Sequence, residues 1–151
     1  MDIPSPARML VELQKAGTRA HRLLLQSPLG PMISNLPGNR LLVLHTSGRQ
    51  SGQPRQTPLS YTKDGDSYVV IASDGGSPKN PEWYLNLQAN PDAEVERNGR
   101  RKAVEAETVT GDERDRLWRQ AVASFPGYAG YQMRTNREIP VVRLRPTEPR
   151  S

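Results

Sequence analysis

Residues 41–44 form an unbroken apolar run, Leu-Leu-Val-Leu. It is too short for a helix and suits a buried strand over 40–46. A second strand is predicted at 55–62. Pro58 lies inside it and removes a ladder donor, which restricts that strand to a sheet edge or a bulge. Lys63-Asp64-Gly65-Asp66 reads as a hairpin turn, and SYVVIAS (67–73) as a third, central strand. Strands at 93–97 and 101–109 are joined by Asn98-Gly99, a tight-turn pair. The last strand is predicted at 139–144, and 145–151 is expected to fray.

The 3.6-residue period marks the helices. Leu10, Leu13, Ala20, Leu23 and Leu24 give a rough apolar stripe over 4–25, with Pro4 and Pro6 near its start. The proline- and glycine-bearing stretch 27–39 reads as a linker. Asp74-Gly75-Gly76-Ser77 breaks the sheet. A helix is expected next, with Asn80 as cap, Pro81 at its first position and Glu82 complementing its dipole, ending near Asn90-Pro91. Thr110 and Glu113 have capping-box spacing for a helix over 111–124. Leu117, Trp118, Ala121, Val122 and Phe125 give it one apolar face, and Pro126-Gly127 ends it. Residues 127–132 then read as an irregular segment carrying Tyr128 and Tyr131. Hairpins dominate, so the expectation is an α+β fold whose mainly antiparallel sheet closes as a small barrel with helices packed on it.

At 151 residues the chain reads as one domain, with a helix and linker over 1–39 and the barrel over 40–151. The absence of cysteine excludes a catalytic thiol, a thiolate-held metal and disulfides. His21 and His45 are far apart and read as ordinary surface or helix residues, so no metal site is expected. No apolar run approaches the ~20 residues of a membrane span, and no signal pattern is seen, which points to the cytoplasm. Lys15, Arg19 and Arg22 share one face of the first helix. That face can pack beside the domain with its charges in water, or rest on an anionic membrane surface.

Charge changes the picture most. Residues 13–63 hold seven of the 21 basic residues and none of the 16 acidic ones, which leaves 14 basic against 16 acidic elsewhere. The net +5 is thus concentrated in one third of the chain and points to an anionic partner. Within it lies HTSGRQSGQPRQTPLSY (45–61), with Gly48 and Gly52 for unusual backbone geometry. Arg49 and Arg55 offer planar donor forks, and Ser47 and Ser51 offer neutral donors. The helix start after Gly75-Gly76 is a second candidate anion site.

HTSGRQSGQPRQTPLSY, ASDGGSPKNPEWYLNLQANP, YAGYQ and IPVV together resemble the deazaflavin-dependent nitroreductase family over residues 41–145. The resemblance implies a split β-barrel of the flavin-reductase and pyridoxamine-oxidase type. It also implies an oxidoreductase using the reduced deazaflavin coenzyme F420, which carries a phosphodiester and an oligoglutamate tail. By resemblance Arg49, Gln50, Ser51, Arg55, Gln56, Thr57, Pro58 and Leu59 match the loop around the phosphate and tail. Ile71, Ala72, Ser73 and Asp74 match the strand end beside the ring. Glu82, Trp83, Tyr84, Leu85 and Asn86 match the helix start that closes over the cofactor. Tyr128 and Tyr131 match aromatics at the mouth of the acceptor pocket. Ser73 is the candidate partner of the ring edge, and Tyr128 or Tyr131 the candidate donor to the acceptor, beside the plainer readings of strand-end serine and lid aromatics.

Gln50 and Asp74 stand where relatives often carry lysine, and Ser60 where an aromatic can line the pocket. These departures keep the cofactor class and argue against nitroimidazole reduction. The implied acceptor is a quinone or another electron-poor conjugated small molecule, with nitro compounds a further class. The rival readings are a flavin-binding split barrel and a basic module for nucleic acid. Only Tyr61 interleaves the basic segment, which disfavours base stacking.

Overall fold

A computed structural model describes residues 40–147. The helix expected over 4–25 and the linker over 27–39 lie outside the described residues. Seven strands form one sheet: β1 (Leu41–Ser47), β2 (Pro54–Ser60), β3 (Thr62–Asp64), β4 (Ser67–Ile71), β5 (Asp92–Arg97), β6 (Arg100–Thr108) and β7 (Val141–Pro146). Three α-helices accompany them among the described residues: α1 (Glu82–Ala89), α2 (Gly111–Ser124) and α3 (Gly127–Met133). A 3-10 turn occupies Asp74–Gly76.

The strand order is β2-β1-β5-β6-β7-β4-β3, and every pairing is antiparallel. The two edge strands, β2 and β3, are separated in the chain by Tyr61 alone. A sheet whose first and last strands are joined by one residue must curl almost to closure, which makes a barrel split along that seam. The expected single strand over 55–62 is therefore two strands. Tyr61 breaks it, buried edge-on against Tyr68 at 5.2 Å with the Arg97 guanidinium 5.0 Å from its ring centre. Pro58 sits on edge strand β2, where its missing donor costs no ladder bond to a further strand.

Alternation sorts the core into two parts. Leu42, Leu44, Tyr68, Val70, Ala72, Val95, Val104, Val142 and Leu144 fill the barrel interior, closed by Trp83, Tyr84 and Leu87 of α1. Val69, Ile71 and Val141 face the other way and pack with Leu117 and Ala121 of α2 and Ile139. Each fully buried aliphatic contributes roughly 1.5–3 kcal/mol of transfer free energy. The β4 strand is buried throughout because it feeds both parts.

Four local expectations differ from the structure. Asn80 is not the cap of α1: Pro81 holds that position at an extended ψ of 154° without a side-chain cap bond, and the Asn80 side-chain oxygen accepts from Arg137 instead. Thr110 precedes α2 without a side-chain cap bond, and Glu113 is drawn instead to Arg143. Residues 127–132 are helical, because Pro126 already has right-handed helical angles and restarts the turn. Arg145 does not fray: it belongs to β7 and faces Glu105 across the ladder.

Candidate functional site

The loop between β1 and β2 is a tight bend. Gly48 donates to the Gln53 carbonyl at 2.8 Å, and Gly52 donates back to the Gly48 carbonyl at 2.8 Å. Gly52 has φ 71°, a left-handed conformation that suits glycine. A Cβ at Gly48 would lie 2.9 Å from Ser51 Oγ and 3.4 Å from Arg55 Nε. The missing side chain is what lets those two donors converge. Ser51 Oγ accepts from the Gln53 N–H at 3.1 Å, which leaves its hydroxyl proton to donate elsewhere.

This bend faces the first turns of α1 and encloses a cavity of about 560 Å³. Arg49, Gln50, Ser51, Arg55, Gln56 and Thr57 line one side, and Glu82, Trp83 and Asn86 the other. Arg49 ties the two sides together. Its N–H donates to Asn86 Oδ1 at 3.1 Å, and its guanidinium reaches Asn86 Oδ1 at 3.2 Å and Glu82 Oε2 at 2.5 Å. Among the described residues Arg55 pairs with no carboxylate. The donor set, the gap at Gly48 and the unneutralised Arg55 fit a phosphate or carboxylate group.

A second cavity of about 330 Å³ opens on the outer face of the sheet. Ser60, Thr62, Val69 and Ile71 form its sheet side, and Phe125 and Tyr128 its helical side. Burial, reinforced by Tyr131, pushes the Tyr128 phenol up to about 12, so its O–H keeps its proton throughout the neutral range. Thr62 Oγ1 is buried without a hydrogen-bond partner. Gln56, Pro58 and Ser60 alternate onto one face of β2, with Gln56 in the first cavity and Ser60 in the second. Four residues of strand span about 13 Å, so one elongated molecule can reach from the donors to the aromatic wall of Phe125 and Tyr128.

The residues singled out from sequence thus divide. Ile71 and Tyr128 line the second cavity, and Tyr131 packs on Tyr128 with ring centres 6.4 Å apart. Ala72 is fully buried in the barrel interior, and Ser73 is buried just beyond it. Asp74 opens the 3-10 turn at φ 44°. Leu59 packs against the interior core. Tyr84 is a core residue whose hydroxyl meets Thr108 Oγ1 at 2.9 Å, and Leu85 lines neither cavity. His45 is a strand residue bonded to Glu96 at 2.8 Å. No group of three metal-ligating side chains occurs among the described residues. Thr62 and Phe125 were not among the site residues read from sequence, where Phe125 was assigned to the apolar face of the helix over 111–124, although Phe125, Tyr128 and Tyr131 recur at the three-residue spacing of one helix face.

A split antiparallel barrel with a basic cradle at one rim and an aromatic-walled cavity beside its seam defines a small-molecule-binding split-barrel protein. Solved structures agree. The chain superposes on an F420-H2 dependent reductase (FDR-A) with TM-score 0.64 and 37% identity, covering 69% of this chain and 92% of that one. It superposes on a domain-swapped dimer with TM-score 0.67 and 33% identity, covering 93% and 99%. The heme storage protein HutZ of Vibrio cholerae, at TM-score 0.57 and 17% identity over 81% of this chain and 92% of that one, shares the fold.

The family model for F420H(2)-dependent quinone reductase matches residues 17–146, and the chain belongs to this family. An F420H(2)-dependent quinone reductase of Mycobacterium tuberculosis is 42% identical over 130 residues, 83% of this chain and 87% of that protein. A putative second one from the same species is 40% identical over 110 residues, 73% and 92%.

Proposed function

We propose that this protein oxidises reduced coenzyme F420 and delivers the hydride to a quinone or similarly electron-poor conjugated acceptor, with the two cavities as the two halves of its site. The observation that carries this reading is the pairing of an anion cradle at Gln56 with an aromatic-walled cavity at Ser60 along one face of β2. When bound, the deazaflavin supplies the hydride chemistry, which is why a chain without cysteine suffices.

Arg55, Ser51, Gln56 and Thr57 hold the phosphate and tail, with Arg49 and Gln50 beside them. Trp83 and Asn86 close the cradle from α1. Pro58, Ile71 and Ser73 border the ring, and Tyr128 donates a hydrogen bond to the acceptor oxygen. At about 12 its phenol is too weak an acid to surrender a proton readily, so Tyr128 orients and polarises. Its neighbour Tyr131 fixes the ring of Tyr128. Among the described residues no helix is long and apolar enough to cross a membrane. We place the enzyme in the cytoplasm, with the basic residues Lys15, Arg19 and Arg22 able to draw it to membrane-held quinone.

An anaerobic assay of reduced F420 oxidation against a panel of quinones tests the reading. Acceptor-dependent oxidation is expected; none with any quinone contradicts it. A yellow preparation with flavin absorbance would favour the flavin-binding alternative.

A further inference from the structure

Arg137 belongs to neither cavity, yet its guanidinium gathers the segments that border both. Its Nε donates to the Ser77 carbonyl at 2.9 Å, and Nη2 to the Ser73 carbonyl at 2.8 Å. Nη1 donates to Asn80 Oδ1 at 2.8 Å and to the Ala72 carbonyl at 3.2 Å. One planar fork thus fixes the strand end after β4, the 3-10 turn and the entry to α1. The Arg137 carbonyl in turn accepts from Gln132 Nε2 at 2.7 Å, and Gln132 Oε1 accepts from the Ile139 N–H at 3.0 Å. That second link ties down the C-terminal end of α3, whose first turn carries Tyr128.

The packing around this node has no slack. Gly76 has φ 84°, and a Cβ there would lie 2.6 Å from the Tyr131 carbonyl oxygen. The turn and α3 therefore touch backbone to backbone. All four acceptors of the fork are neutral oxygens. Burial pulls the guanidinium pKa down, opposed by nearby Asp74. A partly desolvated cation spent on carbonyl groups yields geometry more than neutralisation, and a planar five-donor fork is the side chain that can serve four acceptors at once. A fold staple could anchor anywhere; this one grips residues 72–80, between Ile71 of the outer cavity and Trp83 of the cradle.

We propose that Arg137 is a positioning residue for hydride transfer, holding the Ser73 strand end, α1 and α3 at one spacing so that ring and acceptor meet in register. The proposal rests on the cofactor and acceptor placement of the preceding subsection. Arg137 touches neither molecule and acts through the backbone it holds. Displacement of reacting groups by about 1 Å can cost about a hundredfold in rate.

The test compares wild type with Arg137→Lys, Arg137→Ala and Asn80→Ala. The readouts are F420 affinity, single-turnover hydride transfer at saturating substrates, and melting temperature. The lysine variant keeps the charge and loses the fork; its single-turnover rate is expected to fall about tenfold to a hundredfold while it stays folded. Guanidinium added below denaturing concentrations is expected to restore part of the rate of Arg137→Ala and none of the lysine variant's. A lowered melting temperature with single-turnover rates within about twofold of wild type overturns the proposal. If neither Arg137 variant folds, Asn80→Ala decides: it must slow the transfer, and an unchanged rate overturns the role. A wild type that binds no F420 overturns both this role and the functional reading; a wild type that binds, with variants equal to it, overturns this role alone.

Discussion

Arg49 reaches across the cradle to Glu82, its Nη1 2.5 Å from Glu82 Oε2. One of the two guanidiniums in the cavity is therefore already paired with a carboxylate, and an incoming anion must compete for it. Glu82 is largely exposed, so the competition is worth about 0.2–1 kcal/mol. Glu82→Gln is expected to tighten F420 binding up to about fivefold at low salt, with the gain shrinking as salt rises. Weaker binding in that variant would mean that Glu82 supports the cofactor directly.

Arg55 is the cation of the cradle that no described carboxylate neutralises. Reversing it with Arg55→Glu is expected to weaken F420 binding by about 1–3 kcal/mol, the range of a charged hydrogen bond. Isothermal titration of folded protein measures this, and an unchanged affinity would remove Arg55 from the site.

Tyr128 faces the outer cavity with a phenol held at about 12 by burial. A neutral hydrogen bond of about 0.5–1.5 kcal/mol translates into up to roughly tenfold in kcat/KM for the quinone on Tyr128→Phe. The sign for pH follows from the raised value. The protonated form is favoured by folding, so its stabilisation holds below the ordinary phenol value and is lost as pH rises from about 10 to 12. No alkaline limb from this residue is expected below about pH 10. A limb near neutrality that disappears in Tyr128→Phe would contradict the assignment.

Asp64 anchors a network behind the barrel. Burial alone would raise its pKa, but hydrogen bonds and charge from Arg143 and Arg116 outweigh it and hold the carboxyl below its ordinary range. The stabilisation is present above the ordinary carboxylate value and is lost as pH falls through the depressed one. Asp64→Asn is expected to cost about 1 kcal/mol or less at pH 7 and to flatten the loss of stability below about pH 4. Denaturant melts at pH 7 and pH 3 measure both, and parallel losses in variant and wild type would contradict the role.

The strand pattern was legible because most strands have one distinct apolar face or, like β4, are apolar throughout. The cradle was legible because its donors are contiguous between residues 49 and 57. What sequence hid depends on distant partners. Asn80 has the chemistry of a cap, yet Arg137, 57 residues further on, takes its side-chain oxygen. Thr110 and Glu113 have capping spacing, yet Arg143 offers Glu113 a charged partner. The break at Tyr61 follows from curling of the sheet, which no local window contains. Arg137 itself sits in a polar stretch with no motif, and only tertiary structure brings it beneath the Ser73 strand end.

The central claim is that the cradle between the β1–β2 bend and α1 holds the anionic end of F420. Titrating the wild-type protein into F420 while following coenzyme fluorescence tests it most directly. A saturable change at micromolar protein is expected, weakened by Arg55→Glu and left nearly intact by Tyr128→Phe. A fluorescence signal unaltered by wild-type protein, or one equally altered by the Arg55 variant, would contradict it.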